Sequence, residues 1–277
     1  MKVLCGLPPR NEYLKDKDAV VVKSDGQYTY FTADVVYHIE KFTSSYDLVI
    51  DVFGSNTAGH VPKLQALASV FGFNLSSFKI IMYQFVRIKR GNEVVKMSKR
   101  AGNFVTVREV LDEVGVDAFR FYLLRFAPQT HMDFDLELVK QQSNTNPVYY
   151  VQYAHARMAN IMNKSQREIT RLRRNRESKE SEVDYGLLKD QHELNLIKHL
   201  LYFPDLVSEI AENLQVHQLT EYAITLADLF HKFYESCPVL QAGNGKLVNA
   251  RLALVKASKI TLANTLSLLG VSAPERM

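Results

Sequence analysis

A chain of 277 residues, 47% hydrophobic and 23% charged, has apolar material for one large or two ordinary globular cores, which excludes a disordered polymer. Its net charge of +4 permits contact with a nucleic acid backbone without requiring it, and two widely separated cysteines, Cys5 and Cys237, exclude a disulfide framework or a cysteine zinc site. Met1 to Arg10 lacks a signal-peptide apolar segment, and no apolar run approaches the roughly 20 residues that cross a bilayer, so a soluble cytoplasmic chain is expected.

Residues Ala19 to Lys23 form a β-branched run, and Gln27 to Phe31 follow the turn signal Ser24-Asp25-Gly26, which predicts a hairpin. A helix is expected from Thr32 or Asp34 to about Phe42. Tyr46 to Phe53 reads as a strand buried on both faces, Gly54-Ser55-Asn56-Thr57-Ala58-Gly59 as a glycine-containing loop, and His60 to Val70 as an amphipathic helix. Phe78 to Val86 supplies the next strand. Strands alternating with helices predict a parallel α/β sheet with ligand sites at the strand carboxyl ends, where Gly54 to His60 falls.

A second loop in such a position runs Lys96-Met97-Ser98-Lys99-Arg100-Ala101-Gly102. Downstream, Thr106-Val107-Arg108-Glu109 reads as a capping box opening a helix over Val107 to Val114, closed by Gly115. Two ammonium groups on a glycine-flanked loop suit a polyanion whose charge rises during reaction, and pyrophosphate leaving ATP fits that description. The competing reading is an ordinary solvated charge run.

After Gly115 every long segment has helical periodicity, so an all-α domain is expected. Asp117 can cap a helix over Ala118 to Phe126, Met132 to Asp135 reads as extended, and Asn146-Pro147 opens a helix reaching about Lys164. Gln166 to Asp184 reads as a charge-rich loop, followed by helices over Leu187 to Leu201, Pro204 to Asn213, Leu219 to Ser236 and Lys246 to Leu269. The Asn146 helix packs Tyr149, Tyr150, Gln152, Tyr153, His155 and Arg157 into its first turns. Tyr149, Tyr153 and Arg157 recur at four-residue spacing, so one face offers two rings and a guanidinium to unstacked bases and phosphate. A half-buried helix whose tyrosines only pack is the alternative.

Lys96-Met97-Ser98-Lys99 with the following Arg-Ala-Gly-Asn-Phe-Val-Thr resembles the signature loop of class I aminoacyl-tRNA synthetases, in the form carried by arginyl-tRNA synthetases. Asp117-Ala118-Phe119-Arg120 resembles the Asp-Ala-Leu-Arg motif of that family's helical anticodon-binding domain, and Asn146 to Arg157 resembles its anticodon-loop helix. The likeness runs from about Val20 to Met277. It implies an α/β region at residues 1–110, the second half of a Rossmann-like class I synthetase catalytic domain, followed by an all-α anticodon-binding helical bundle at residues 111–277. The implied activity is ATP-dependent activation of arginine and its transfer to tRNA(Arg).

By the same resemblance, Lys99 stabilises the ATP phosphates at the adenylation transition state, with Lys96 and Ser98 shaping the loop, and Gly54, Gly59, His60 and Met97 lie at the nucleotide. Tyr30 and Asp34 hold the substrate arginine, a carboxylate being a bidentate partner for guanidinium; helix capping is the rival role for Asp34. Asn146, Tyr149, Tyr150, Gln152, Tyr153, Arg157 and Met277 contact tRNA, while Asp117 and Arg120 cap a helix and tie the domains together. Mg2+ accompanies ATP without a dedicated protein metal site. The family's amino-terminal His-Ile-Gly-His signature and tRNA-elbow domain are absent, and Gly54 to His60 departs from the usual Gly-Ala-Asp-His-His-Gly-Tyr. A truncated chain, inactive alone, is therefore expected, with a non-catalytic tRNA-binding fragment as the alternative. The implied partners are tRNA(Arg) and arginine, with no membrane; a monomer is compatible with this, and the sequence does not fix the oligomeric state.

Overall fold

The computed structural model describes residues 2–4, 19–95, 105–173 and 183–277. It divides into two compact units, Met1–Val86 with Pro128–Met132, and Arg87–Ala127 with Asp133–Met277.

In the first unit β1 (Lys2–Leu4) runs antiparallel to β2 (Ala19–Val22). The turn at Gly26 forms, with φ +82°, but the expected hairpin shrinks to one bridge between Val22 and Tyr28. Helix α1 (Tyr30–Thr43) begins earlier than the expected Thr32 or Asp34. Side chains explain the early start: the Thr29 hydroxyl donates to the Val20 carbonyl at 2.8 Å, the Thr32 hydroxyl donates to Val21, and Phe31 drops into the core.

Strand β3 (Val49–Gly54) pairs in parallel with β4 (Phe78–Tyr83), from Val49 opposite Phe78 to Gly54 opposite Tyr83. Between them come a 3-10 turn over Ser55–His60 and helix α2 (Val61–Val70). The core gathers Phe31, Val49, Leu64, Ala68 and Phe78 on one face of this pair. The expectation of burial on both faces is corrected: Val49 and Asp51 are buried, whereas Ile50 and Val52 are exposed. Period-two side-chain alternation sends Ile50 and Val52 to the face opposite that core. The strand expected to reach Val86 also stops at Tyr83, because Gln84 turns its N–H to the Pro128 carbonyl at 2.8 Å.

The second unit opens with β5 (Val86–Arg90) and β6 (Glu93–Val94), joined by a turn with Gly91 at φ +61°; with β7 (Met132–Asp135) they form a sheet in the order β6-β5-β7. Helix α3 (Val107–Val114) carries the expected capping box, Thr106 N donating to Glu109 at 2.7 Å and Glu109 N to the Thr106 hydroxyl at 3.1 Å. Helix α4 (Val116–Leu123) starts at Val116 with Gly115 as its N-cap, so Asp117 does not cap it as expected. A short α5 (Leu136–Val139), capped by Asp135, leads to α6 (Pro147–Arg173).

The long helices α7 (Gln191–Asn213), α8 (His217–Ser236) and α9 (Gly245–Leu269) pack with α6 as a bundle. Three expectations are corrected here. Helix α6 runs past Lys164 to Arg173, so the first part of the expected charged loop is helical. Helix α7 passes through Pro204 unbroken although an interior proline costs about 3 kcal/mol, because Leu196, Leu206 and Ile210 on either side are buried. Helix α9 is long and apolar enough to cross a membrane by length and composition. Its apolarity has a local cause: Ala250, Leu254, Val255, Leu262, Leu266 and Leu269 are buried among the other helices.

Candidate nucleotide site and nucleic-acid interface

In the first unit, Tyr30 and Asp34 lie one turn apart on α1. The structure brings Asp34 to His60, carboxylate to Nδ1 at 3.5 Å with both side chains about 40% exposed, and leaves Tyr30 95% exposed. Asp34 is interior to α1, which removes the rival capping role. Gly54 ends β3, where a Cβ would sit 2.8 Å from the Asn56 amide oxygen, and the Thr57 hydroxyl donates back to the Gly54 carbonyl at 2.7 Å. Gly59 meets no such crowding. The expected position at a strand carboxyl end therefore holds for Gly54, Gly59 and His60. Lys96, Met97, Ser98 and Lys99 lie outside the described residues.

Behind this surface is a cluster that sequence reasoning missed. Asp51 is 4% exposed on β3, with His38 Nε2 at 2.6 Å and the Lys41 ammonium also in contact. Burial alone would raise the Asp51 carboxyl, yet hydrogen bonds from His38 and Lys41 hold it below the ordinary carboxylate range. His38 and Lys41 sit at three-residue spacing on α1, a weak signal; the alternation that points Asp51 inward with Val49 was the usable one.

In the second unit the Tyr149, Tyr153 and Arg157 face is assembled as expected. The two tyrosine rings lie parallel within 8°, with centroids 6.3 Å apart. Arg157 rests over the Tyr234 ring at 4.4 Å, its Nη1 lying 3.5 Å from His231 Nδ1. Tyr150 turns its hydroxyl to Asp228 at 2.6 Å; burial first, then that carboxylate, raise its pKa, so it stays a neutral donor. Burial also lowers the pKa of His231, which favours the neutral imidazole. Helix α8 thus lends Asp228, His231, Tyr234 and Glu235 to a face known from α6 alone; their three- and four-residue spacing was the available signal. Together with Gln142, Ser143 and Asn144 these helices enclose an open cavity of about 560 Å3.

Two of the expected tRNA residues face inward. Asn146 is 3% exposed, its amide donating to the Val139 and Gln141 carbonyls at 2.8 Å each and its oxygen accepting from Val148 N at 3.3 Å. Gln152 is half-buried and donates to Asp117 at 2.8 Å and to the Ser272 carbonyl at 3.0 Å. Met277 lines a neighbouring cavity with Tyr153, Arg157 and Arg276.

Residues 11–166 match the family described as tRNA synthetases class I (R), catalytic domain. The chain belongs to the arginyl class I tRNA synthetase family. Residues 151–277 of this synthetase chain match the DALR anticodon binding domain. An arginine-tRNA ligase of Desulforudis audaxviator is 44% identical over 262 residues, 95% of this chain and 46% of the relative. One from Listeria monocytogenes serotype 4a is 41% identical over 269 residues, 96% of this chain and 47% of the relative. The synthetase chain thus spans about half the length of the curated relatives it matches. A Campylobacter jejuni structure assigned as an arginyl-tRNA synthetase superposes with a TM-score of 0.81 at 30% identity, covering 95% of this chain and 55% of that one. Thermus thermophilus arginyl-tRNA synthetase shares the fold, with a TM-score of 0.77 at 24% identity over 94% of this chain and 51% of its own.

The Asp-Ala-Phe-Arg motif of the synthetase chain acts through the carboxyl-terminal tail. Asp117 accepts from Ser272 N at 3.1 Å and from its hydroxyl, and Arg120 Nε donates to the Leu269 carbonyl at 3.0 Å. His155 adds a third tie, with Nδ1 2.8 Å from the Pro274 carbonyl. The motif therefore fixes the tail that carries Arg276 and Met277 beside α6.

Proposed function

We propose that this chain is the carboxyl-terminal part of an arginine-tRNA ligase, that residues 1–110 contribute to its ATP and arginine sites, and that residues 111–277 hold the anticodon loop of tRNA(Arg). The observation that carries the proposal is the parallel Tyr149 and Tyr153 pair beside Arg157, held by α8 and open to solvent on one side. Bases released from their stack find π-faces on the rings, and phosphate finds the guanidinium. Tyr149, Tyr150, Tyr153, Arg157 and Met277 form the contact surface. Asn146 and Gln152 support it from behind, one fixing the start of α6 and the other the tail.

In the catalytic half, Asp34 is the partner for the substrate guanidinium, and its carboxylate already faces a basic side chain, His60. Tyr30 flanks it one turn earlier. Gly54, Gly59 and His60 border the nucleotide at the end of β3, with Met97 on the signature loop. The arginine carboxylate attacks the α-phosphorus of ATP and pyrophosphate departs; a hydroxyl at the 3′ end of the tRNA then attacks the arginyl carbonyl, and AMP leaves. Lys99 stabilises the charge that grows on the departing phosphates, with Lys96 and Ser98 shaping the loop. Mg2+ enters as part of the ATP substrate.

A second reading, a tRNA-binding chain without catalysis, is favoured by the 95% exposure of Tyr30 and the bare Ile50 and Val52 face. Arginine-dependent exchange between ATP and pyrophosphate separates the two. Exchange by the purified chain above a Lys99→Ala control supports catalysis by the chain itself; no exchange, with tRNA binding intact, supports the binding reading.

A further inference from the structure

Asp51, buried on β3, is joined to the partly exposed Asp34 of α1 through a single imidazole. His38 Nε2 lies 2.6 Å from Asp51 Oδ2, and His38 Nδ1 lies 2.7 Å from the main-chain carbonyl of Asp34. Residues four apart share a helix face, and a helical side chain leans toward the amino terminus, so the His38 ring falls back over the turn of Asp34. The Asp34 carbonyl has two lone pairs and can take the ring N–H beside the helix's own amide. An acceptor faces each ring nitrogen, so each donates. Phe42 and Phe78 crowd the imidazole, with ring centres 5.8 and 6.2 Å from its own, and His38 is only 3% exposed. Lys41 brings its ammonium to the other Asp51 oxygen and lies 4.3 Å from the centre of the Tyr37 ring.

A buried ion pair is a weak source of stability, because desolvation offsets much of the attraction and apolar side chains of the same volume would hold α1 on β3 at least as firmly. What the hydrogen bonds add is direction. They run from one residue of β3 to one turn of α1, and that turn presents the Asp34 carboxylate, about 40% exposed, at 3.5 Å from His60 Nδ1. Asp51 stands three residues before Gly54, the last residue of β3, which is about 10 Å along the strand. The bridge therefore ties the Asp34 turn to the same strand whose carboxyl end Gly54 forms.

We propose that His38, held by Asp51 beside Lys41, is a positioning residue for the substrate arginine: it fixes the Asp34 turn over β3, so that the Asp34 carboxylate meets the guanidinium at a set distance from the strand end. Small displacements of a substrate-holding group carry large penalties, which is what a rigid support of this kind prevents. His38 is buried and acts only through Asp34. The proposal rests on the reading of Asp34 as the guanidinium partner and adds to it the residues that hold Asp34 in place.

The test follows the purified chain by heteronuclear NMR during titration with L-arginine, which registers weak and tight binding alike, and pairs each titration with thermal unfolding. Asp34→Asn is the reference, since it removes the carboxylate that meets the guanidinium. His38→Gln retains a donor for Asp51 where Nε2 stood and has none where Nδ1 stood. It should keep an unfolding midpoint close to that of the wild type and yet weaken arginine binding roughly 10- to 100-fold, a split that a merely structural histidine would not give. The wild-type chain supplies a second readout without any substitution at position 38: arginine should shift the His38 ring nitrogen resonances, although the buried ring cannot touch it, and Asp34→Asn should abolish that shift. Arginine binding in His38→Gln as tight as in the wild type, or His38 ring resonances that stay put while the Asp34 amide moves, overturns the positioning role and leaves the arginine reading intact. Binding that Asp34→Asn does not weaken, or no arginine-dependent shift anywhere in α1, overturns that reading and the proposal with it.

Discussion

Gly270 closes α9 with φ +66°, and a Cβ there would lie 2.6 to 2.8 Å from the Nε, Nη2 and Cζ atoms of Arg120. Alanine in this left-handed conformation costs about 1 to 2 kcal/mol. The guanidinium must also move, and it is held by the 3.0 Å bond from Nε to the Leu269 carbonyl, a charge-assisted hydrogen bond of about 1.5 to 3 kcal/mol. Gly270→Ala should therefore destabilise the helical unit by about 3 to 5 kcal/mol. Urea unfolding followed at 222 nm, with an unchanged m-value, measures the loss. Arg120→Ala alone should cost about 1.5 to 3 kcal/mol, and the double variant should be more stable than the two losses added, because the clash is gone. Strict additivity, or a Gly270→Ala midpoint equal to that of the wild type, would refute the steric and hydrogen-bond reasoning.

Other outcomes follow from the same geometry. With the remaining part of the synthetase supplied, Lys99→Ala should raise the adenylation barrier by about 2 to 4 kcal/mol with little change in tRNA affinity; an unchanged single-turnover rate removes Lys99 from its role. Hydrogen bonds from His38 and Lys41 hold the Asp51 carboxyl below the ordinary carboxylate range in the folded chain, so its contribution is complete above that range and fades as pH falls through the lower folded value. Asp51→Asn should cost about 3 kcal/mol at pH 6, and the gap from wild type should close below pH 4 as the carboxyl takes up its proton. A gap independent of pH from 6 down to 2 contradicts the pairing. Arg157→Ala should weaken tRNA binding and flatten its salt dependence by about one unit of slope; an unaltered slope means that Arg157 meets no phosphate.

Much of this was legible because local chemistry and tertiary context agree. The Thr106 and Glu109 capping box satisfies backbone groups at the start of α3, and Pro147 at the first turn of α6 removes a donor that would be unpaired there in any case, whatever lies nearby. Where they disagree, the reading failed. Thr29 and Thr32 bond to β2 and pull the start of α1 forward, a long-range effect invisible to periodicity. Pro204 signals a break that the packing of α7 overrides. Asp117 looks like a cap and is spent on Ser272, 155 positions away. At the site, Tyr149, Tyr153 and Arg157 could be read from spacing, whereas His231, Tyr234 and Glu235 required knowing that α8 lies against α6.

The central claim is that the α6 face recognises the anticodon loop, and equilibrium binding of the purified chain tests it most directly. Wild type and Tyr153→Ala are each titrated with tRNA(Arg) and with the same tRNA carrying an altered anticodon. The account predicts tighter binding of the cognate tRNA and a loss of about 1 to 3 kcal/mol on Tyr153→Ala for that tRNA, with a much smaller loss for the altered one. Equal affinities for the two tRNAs, or equal losses on Tyr153→Ala with the fold intact, would contradict it.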